Sequence, residues 1–403
     1  MSETAAKKTL LPARIFRARW FFAGLLLGLA VMAFLGRRAG STDCHPGFTR
    51  FHPAISPEAS YYPTMDEMGS IVRARCRPNQ VLVVVGGNSV LQGVAQPAEV
   101  MWSRKLQEQL AEKYCVINFA FRGATPTAGG AVVAEALRDE FPRQIYIANE
   151  RPITGIFPLG NEVYRSIFWQ AYYSGRLLDD GPRGKRVREY LVHRDHWSAD
   201  VDIVGNGILD RVLRYHDYWN RVAFEHLNTV PLLNAPMPPA MFSPRKLYVD
   251  QEPDGAIMPM DVRYRPGGLE TELKIIRGVT PLVYERTGQT WRLKDLKREE
   301  LEFSYREAFP ERLRARTLLL IGRDSPFYRR QLAPEDFERN EQAIHDTVDL
   351  LRQAGYAATE YGTEFTETDY ADRAHLAPSG GEKLAAQVAA EISRMSEKLG
   401  YLK

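Results

Sequence analysis

The sequence predicts an α/β fold with a parallel sheet, and three observations carry that prediction. Short runs of apolar residues, which are typical of strands buried on both faces, alternate with segments of helical periodicity. Glycine or a polar residue follows the strongest runs, at the edge where parallel sheets bind ligands. The alternation stops after residue 150 and resumes near residue 316, so an insertion divides the predicted sheet.

The predicted sheet begins at Val81–Val85, an apolar strand that ends at Gly86-Gly87-Asn88-Ser89. Residues 40–65, which are rich in Pro, Ser and Tyr, are expected to form an extended tether before it. The remaining elements of the first half alternate as helices over 65–75, 98–112 and 131–141 and strands over 115–119 and 144–148.

The insertion, residues 151–315, is expected to form a mostly helical or irregular cap. It is rich in aromatic residues, arginines and prolines, with amphipathic helices predicted over 161–178 and 202–227. The second half of the sheet then resumes with strands predicted over 317–321 and 357–361, a helix over 334–353 and a last helix that ends at about Leu399. In the last helix, Ser379 and Glu382 predict a capping box.

The N-terminal segment predicts a membrane anchor. Trp20–Leu35 carries no charge and spans roughly 24 Å as a helix, slightly less than a hydrocarbon core. Five basic residues precede this segment and two follow it, which predicts a cytoplasmic N-terminus and an exported, periplasmic body. A cleaved signal peptide is the alternative, with Ala39-Gly40-Ser41 as its candidate cleavage site. The predicted division is therefore tail, anchor and tether over 1–45, a first half over 46–150, the cap over 151–315 and a second half over 316–403.

The composition excludes several other classes of protein. The net charge is +3, and there is no basic repeat with interleaved aromatic residues, so a nucleic-acid partner is not predicted. The three cysteines form no Cys-x-x-Cys pair, which argues against a zinc or redox motif. If the body is exported, disulfides become possible: Cys44 and Cys76, which both precede the first strand, are the candidates for a pair, whereas Cys115 is expected to be a buried thiol.

One candidate residue for nucleophilic catalysis follows the first predicted strand of the chain, and two others follow the last. Ser89 follows the first strand, but a serine hydroxyl needs a base to become a good nucleophile. Asp372 and His375 precede the last helix, and their spacing allows the carboxylate to reach the near ring nitrogen while the far one points outward. Taken singly, a glycine turn with a capping serine and a locally capping Asp-x-x-His explain these residues equally well.

Acyl transfer also requires hydrogen-bond donors that face a developing oxyanion. The candidates are the backbone N–H groups of Ser89 and Gly123 and the side chain of Asn149, each at the end of a predicted parallel strand. Arg122, beside Gly123, is a candidate for binding an anionic acceptor, although it could equally pair with a carboxylate. Asp324 lies near the same edge without an assigned role.

This ordered set of residues resembles the SGNH hydrolase superfamily, also called the GDSL esterase/lipase family. The first block of that family matches Gly87-Asn88-Ser89 with Gly93, and the second-block glycine matches Gly123. The third block matches Asn149, and the fifth, Asp-x-x-His, matches Asp372 and His375. The sequence departs from the family at Asn88, Ile147 and Glu150, which replace the usual Asp, Gly and Asp.

The resemblance, which covers about 46–150 and 311–403, implies a flavodoxin-like sheet and a serine esterase or acyltransferase. Ser89 would be the nucleophile, His375 the base and Asp372 the residue that orients it, with no metal or organic cofactor. The substrate would be an acylated glycan or lipid of the envelope, and a membrane-bound acyltransferase is a candidate partner. The alternative is a non-catalytic binding or scaffold protein, which the departures at Asn88 and Glu150 favour.

Two other motifs have simpler explanations. His193 and His196 beside Asp195 have a spacing that could hold a metal, but an arginine-rich solvated loop explains them as well. The basic run over 183–188 is more typical of a solvated surface than of a lipid-headgroup site.

Overall fold

The computed structural model describes residues 10–41, 48–51, 63–153, 165–178, 206–215, 217–218, 266–278 and 283–402. Seven strands lie in these ranges: β1 (Val81–Val85), β2 (Tyr114–Asn118), β3 (Gln144–Glu150), β4 (Tyr284–Thr287), β5 (Thr290–Leu293), β6 (Thr317–Gly322) and β7 (Ala357–Tyr361). The helices are α1 (Leu10–Ser41), α2 (Met65–Arg75), α3 (Ser89–Gln92), α4 (Trp102–Leu110), α5 (Gly130–Ala136), α6 (Arg165–Tyr173), α7 (Asn206–Leu213), α8 (Pro266–Ile276), α9 (Asp295–Ala308), α10 (Glu311–Arg314), α11 (Pro326–Arg329), α12 (Pro334–Gln353) and α13 (Pro378–Lys398).

Five of the strands form one parallel sheet in the order β2-β1-β3-β6-β7. The predicted α/β fold with a parallel sheet is therefore confirmed, and the strand order is compatible with a flavodoxin-like fold. Strands β3 and β6 are neighbours although the insertion separates them in the chain. The carboxyl ends of β1, β3 and β6 thus lie along one edge, which places the polar residues that follow them close together.

Both faces of the sheet are covered, as the apolar runs predict. Val81, Val83 and Val85 face one core together with the buried side of α13, whereas Leu82 and Val84 face the other. Because successive strand residues point to opposite faces, a strand buried on both sides needs an unbroken apolar run rather than an alternating one.

The N-terminal helix is long and apolar enough to cross a membrane. Its segment Ala18–Ser41 has a mean hydropathy of 1.9, and large apolar side chains such as Trp20 and Phe34 are exposed. Its last turn packs against the body: Gly36 and Gly40 lie so close to Arg214 and Asp217 that a side chain at either glycine would collide. The Ser70 hydroxyl also donates to the Gly40 carbonyl over 2.9 Å.

The prediction of an extended tether is wrong for residues 48–51. Phe48, Arg50 and Phe51 are buried, and Arg50 donates to the carbonyls of Gln92 (3.1 Å) and Gln96 (2.9 Å). Phe51 stacks on Phe119 and Phe121, and Phe48 packs against Phe51 and Phe119. Burial of these apolar rings outweighs the turn-forming composition of the stretch.

The predicted cysteine pairing is also wrong. Cys76 and Cys115 form a disulfide, so Cys115 is not a free thiol, and Cys44 lies outside the described residues. Cys76 follows the last residue of α2 and Cys115 is the second residue of β2, which brings their Cα atoms to 5.6 Å. The packing of α2 beside the sheet decides this pairing, and spacing along the chain does not encode it.

Two predicted helix boundaries need correction. Helix α13 begins at Pro378 after Ala377, and the Ser379 hydroxyl donates to the Thr368 carbonyl (3.3 Å), so Ser379 and Glu382 form no capping box. Proline is favoured in the first turn because it has no N–H that would need a partner there. The helix predicted over 98–112 is divided, because Met101 has an extended backbone.

The described part of the insertion is mostly helical, as predicted, but it also contains an antiparallel hairpin of β4 and β5. Gly288, with a φ of +66°, lies in its tight turn. The two residues between the strands, Gly288-Gln289, are the sequence signal for this hairpin, because a two-residue loop that begins with glycine is typical of one.

Candidate active site

Ser89 stands at the first position of α3, directly after a glycine turn at the carboxyl end of β1. Gly87 has a φ of +83°, and a Cβ on it would collide with the Asn149 side chain. The turn therefore needs glycine both for its backbone conformation and for the close approach of β3. Asn88 caps the short helix by accepting a hydrogen bond from the Val90 N–H over 3.0 Å.

His375 and Asp372 meet Ser89 in the arrangement that the sequence predicts. The Ser89 Oγ and His375 Nε2 atoms are 2.8 Å apart, and His375 Nδ1 is 2.6 Å from Asp372 Oδ2. When Nδ1 carries the ring proton and donates it to the carboxylate, the Nε2 lone pair is left to accept the serine proton. The three side chains thus form a hydroxyl–imidazole–carboxylate relay between residues 286 positions apart.

The carboxylate of Asp372 is held in its charged form. Burial acts to raise its pKa, but hydrogen bonds from the His375 ring and from the backbone N–H groups of Ala374 and His375 lower that pKa to about 2. An ionised carboxylate at this position favours a proton on Nδ1 and stabilises the imidazolium that forms during proton transfer.

The loop that carries these residues is tied to the sheet and to the insertion. Arg373, between the two, forms an ion pair with Asp324 at the end of β6 and binds Glu272 of α8 over 2.6 Å. The Arg373 carbonyl accepts a hydrogen bond from the Ser325 N–H (2.8 Å). Asp324, for which the sequence suggests no role, thus anchors the loop that holds His375.

Asn149 lies beside Ser89, as predicted, and is locked to Asn88. The Asn149 Oδ1 atom accepts the Asn88 N–H (3.1 Å), and its Nδ2 donates to Asn88 Oδ1 (2.8 Å). The two backbone donors, Asn88 N–H and Val90 N–H, define the orientation of both amides. One N–H bond of Asn149 Nδ2 is then left for a substrate oxygen at the edge of the cavity that contains Ser89.

Gly123 and Arg122 are both exposed, and neither lines this cavity. Gly123 has a φ of +74°, and its loop is joined to the glycine turn by the Phe121 N–H, which donates to the Gly87 carbonyl over 3.0 Å. The role of Gly123 as an oxyanion donor and that of Arg122 as an anion site therefore stay predictions.

The cavity has a volume of about 410 Å³ and is lined by residues that follow β1, β3 and β6. Ile275 and Ile276 of α8 form part of its wall, so a helix of the insertion borders the site. Asn340 of α12 and Arg373 also line it.

Sequence reasoning missed three of the residues at this site. The sequence does not indicate that Ile275 and Ile276 belong to the site, because nothing in it places the insertion over the sheet edge. Asn340 could have been recognised, because it occupies the apolar stripe of α12 with Ile344 and Thr347, where an amide side chain is unexpected.

Among the described residues, no group of three or more His, Cys, Asp or Glu side chains could hold a metal ion. His193, Asp195, His196 and the basic run over 183–188 lie outside the described residues.

Comparisons with models of known protein families and with curated protein sequences find no match to this chain. The function is therefore inferred from the geometry of Ser89, His375 and Asp372.

Proposed function

We propose that this protein is a serine esterase or acyltransferase of the SGNH type, anchored in the inner membrane with its body in the periplasm. The observation that supports the proposal most directly is the relay from Ser89 Oγ through His375 to Asp372, with contacts of 2.8 and 2.6 Å. The parallel sheet and the position of Asn149 beside Ser89 add to it, because the family to which the sequence is similar uses the same arrangement.

The reaction begins with attack of Ser89 Oγ on an ester carbonyl carbon. The serine proton passes to His375 Nε2, and the oxyanion is stabilised by the Ser89 N–H and the free N–H bond of Asn149 Nδ2. When the C–O bond breaks, the imidazolium returns its proton to the leaving alcohol. Water or an acceptor hydroxyl then attacks the acyl-enzyme and gives its proton to His375. The imidazolium passes this proton to Ser89 Oγ as the acyl–Oγ bond breaks, which releases Ser89 and the acid or the new ester.

The departures from the family motif do not argue for a decayed site. Asn88 Oδ1 accepts hydrogen bonds from Val90 N–H and from Asn149 Nδ2, which are bonds that an aspartate at this position would also accept. Glu150 accepts the Arg151 N–H over 2.7 Å and lies at the cavity without disturbing the Asn88–Asn149 pair. These contacts favour an active enzyme over a non-catalytic scaffold.

The membrane anchor and the export of the body are supported by two features. Ala39 and Gly40, in the candidate cleavage site, are buried against the body, which favours an uncleaved helix. The Cys76–Cys115 disulfide is typical of an oxidising compartment, so the body would lie on the periplasmic side. An enzyme held there meets acylated glycans and lipids of the envelope.

The test is hydrolysis of p-nitrophenyl acetate and labelling by a fluorophosphonate probe, with the full chain in detergent. Ser89→Ala is expected to lower kcat/KM by about a thousandfold or more and to abolish labelling, and His375→Ala to do nearly the same. The matched control is Ser379→Ala, an exposed serine at the start of α13. Turnover and labelling that persist in Ser89→Ala would refute the proposal, and glycan binding without labelling of the wild type would favour the scaffold.

A further inference from the structure

Asn340 is a largely buried residue of the cavity wall. The residue is 6% exposed and lies on the buried face of α12, close to Ile344 along the helix. Within the ranges that the structure describes, its carboxamide forms no hydrogen bond. Thr347, two turns further along the same stripe, is satisfied by contrast, because it donates to the Ala343 carbonyl (2.6 Å) and accepts the Ile153 N–H (2.8 Å).

The amide atoms of Asn340 are not among the fully buried side-chain atoms that lack a partner, so they open to the cavity. A leucine would fill nearly the same volume at this buried position of the helix. A largely buried residue whose amide opens to a cavity, without a hydrogen bond to the described protein, keeps its donors and its acceptor for a molecule that binds there.

The charges around the cavity indicate that this partner is neutral. Arg373 is paired with Glu272 and Asp324. Arg151, which also lines the cavity, interacts with Asp324 as well. Arg323 is paired with Glu341 (2.9 Å) and Glu360 (2.6 Å). A carboxylate or phosphate would have to displace these pairs, and it would also meet the carboxylates of Glu150 and Asp324. A hydroxyl group needs no counter-charge and can both donate to and accept from a carboxamide.

We propose that Asn340 is the specificity-determining residue of a subsite for a neutral, hydroxyl-bearing group of the substrate, such as a sugar ring or a glycerol unit. The subsite shares one cavity with Ser89 and His375, and Ile275 and Ile276 offer an apolar wall to the C–H groups of such a ligand. This inference rests on the proposed function, because it names the kind of alcohol or acyl group that the enzyme selects.

The experiment measures selectivity. For each variant, kcat/KM is determined for p-nitrophenyl acetate, which carries no hydroxyl, and for mono-O-acetylated methyl glucoside and glycerol monoacetate, which do. Asn340→Leu is expected to lower the ratio of the hydroxylated esters to p-nitrophenyl acetate by about tenfold or more. A larger loss on the glucoside indicates a glycan substrate, and a larger loss on glycerol monoacetate indicates a lipid-type alcohol.

The melting temperature separates this role from a structural one. Because the Asn340 amide makes no hydrogen bond with the described protein, its removal should leave the Tm of Asn340→Leu equal to or above that of the wild type. Asn340→Asp, which keeps the shape but removes the donor, should also lose selectivity. The matched control is Gln353→Leu, an exposed amide at the end of the same helix, which should change neither quantity.

An unchanged selectivity ratio in both Asn340 variants would overturn the inference, and so would an equal loss on all three esters together with a lower Tm. If the wild type hydrolyses no ester, the proposed function fails separately. Calorimetric titration of methyl glucoside and of glycerol into wild type and Asn340→Leu then decides whether the subsite exists: weaker binding to the variant supports it, and equal binding or none refutes it.

Discussion

At the scale of single residues, the site is organised by amides and carboxylates whose partners are backbone groups. The Asn88–Asn149 pair joins the turn after β1 to the end of β3, and backbone donors orient both amides. Asp372 is likewise held by two backbone N–H groups as well as by the His375 ring. Groups oriented in this way need little rearrangement as charge develops, which is the basis of electrostatic catalysis.

The low pKa of Asp372 predicts how one part of the protein's stability depends on pH. The folded pKa of about 2 is below the ordinary value of about 3.9, so the unfolded state binds the proton more tightly. The contribution of the ionised Asp372 carboxylate to the free energy of unfolding is therefore complete above about pH 5 and is lost as the pH falls towards 2. Because the side chain is about one-third exposed, solvent screening reduces this contribution to about 1 kcal/mol.

The measurement compares the melting temperatures of wild type and Asp372→Asn between pH 3 and pH 7. The difference in melting temperature between the two proteins should be constant from pH 5 to pH 7 and should shrink as the pH falls to 3. A difference that grows towards acid would contradict the assignment of a lowered pKa to this carboxyl group.

At the scale of elements, helix α8 of the insertion is fastened to the catalytic loop. Glu272 of α8 binds Arg373, which stands between Asp372 and His375 and also pairs with Asp324 of the sheet edge. The same helix presents Ile275 and Ile276 to the cavity. Arg373 thus links the position of α8, which forms the apolar wall, to the position of the His375 imidazole.

Glu272→Gln is expected to lower kcat/KM about fivefold, because loss of this half-buried ion pair weakens the seating of both α8 and the loop. The control on the same helix is Glu270→Gln, which removes an exposed pair with Arg277 and should have no effect. Steady-state kinetics with p-nitrophenyl acetate measures both variants. Equal values for them would show that α8 and the catalytic loop are not coupled.

At the scale of the whole molecule, a disulfide and the packing of α1 hold distant segments together. The disulfide joins α2 to β2 across 39 residues, and the last turn of α1 packs on the body through Gly36 and Gly40. If α1 crosses a membrane, as proposed, the body would stand directly against the bilayer, instead of at the end of a long extended linker.

The disulfide predicts that Cys76→Ser lowers the free energy of unfolding by about 2–4 kcal/mol, because the unfolded chain gains the freedom of an open loop. Cys44→Ser, the matched control, should have no such effect. Thermal melting measures both, and peptide mapping without reduction should recover Cys76 linked to Cys115. Recovery of a Cys44–Cys76 peptide would contradict this pairing.

Several features could be predicted from the sequence because they depend on neighbouring residues. Val81–Val85 forms a strand as an unbroken apolar run, and α12 has its predicted limits at Pro334 and Gln353. The contact of Asp372 with His375 is also local, since a short turn suffices to bring residues three apart together. The meeting of His375 with Ser89 was predicted from the order of the motifs, and only the topology of the sheet could place the two side chains together.

The amino-acid sequence by itself determined the apolar strands, the glycine turn before Ser89, the apolar N-terminal helix and the residue types of the relay. The tertiary structure alone decided which cysteines pair, that α8 borders the cavity, and that the Asn340 amide opens to it. Periodicity and turn chemistry act over a few residues and can be recognised along the chain. Pairings between distant residues depend on how helices and strands pack, and that information is absent from local spacing.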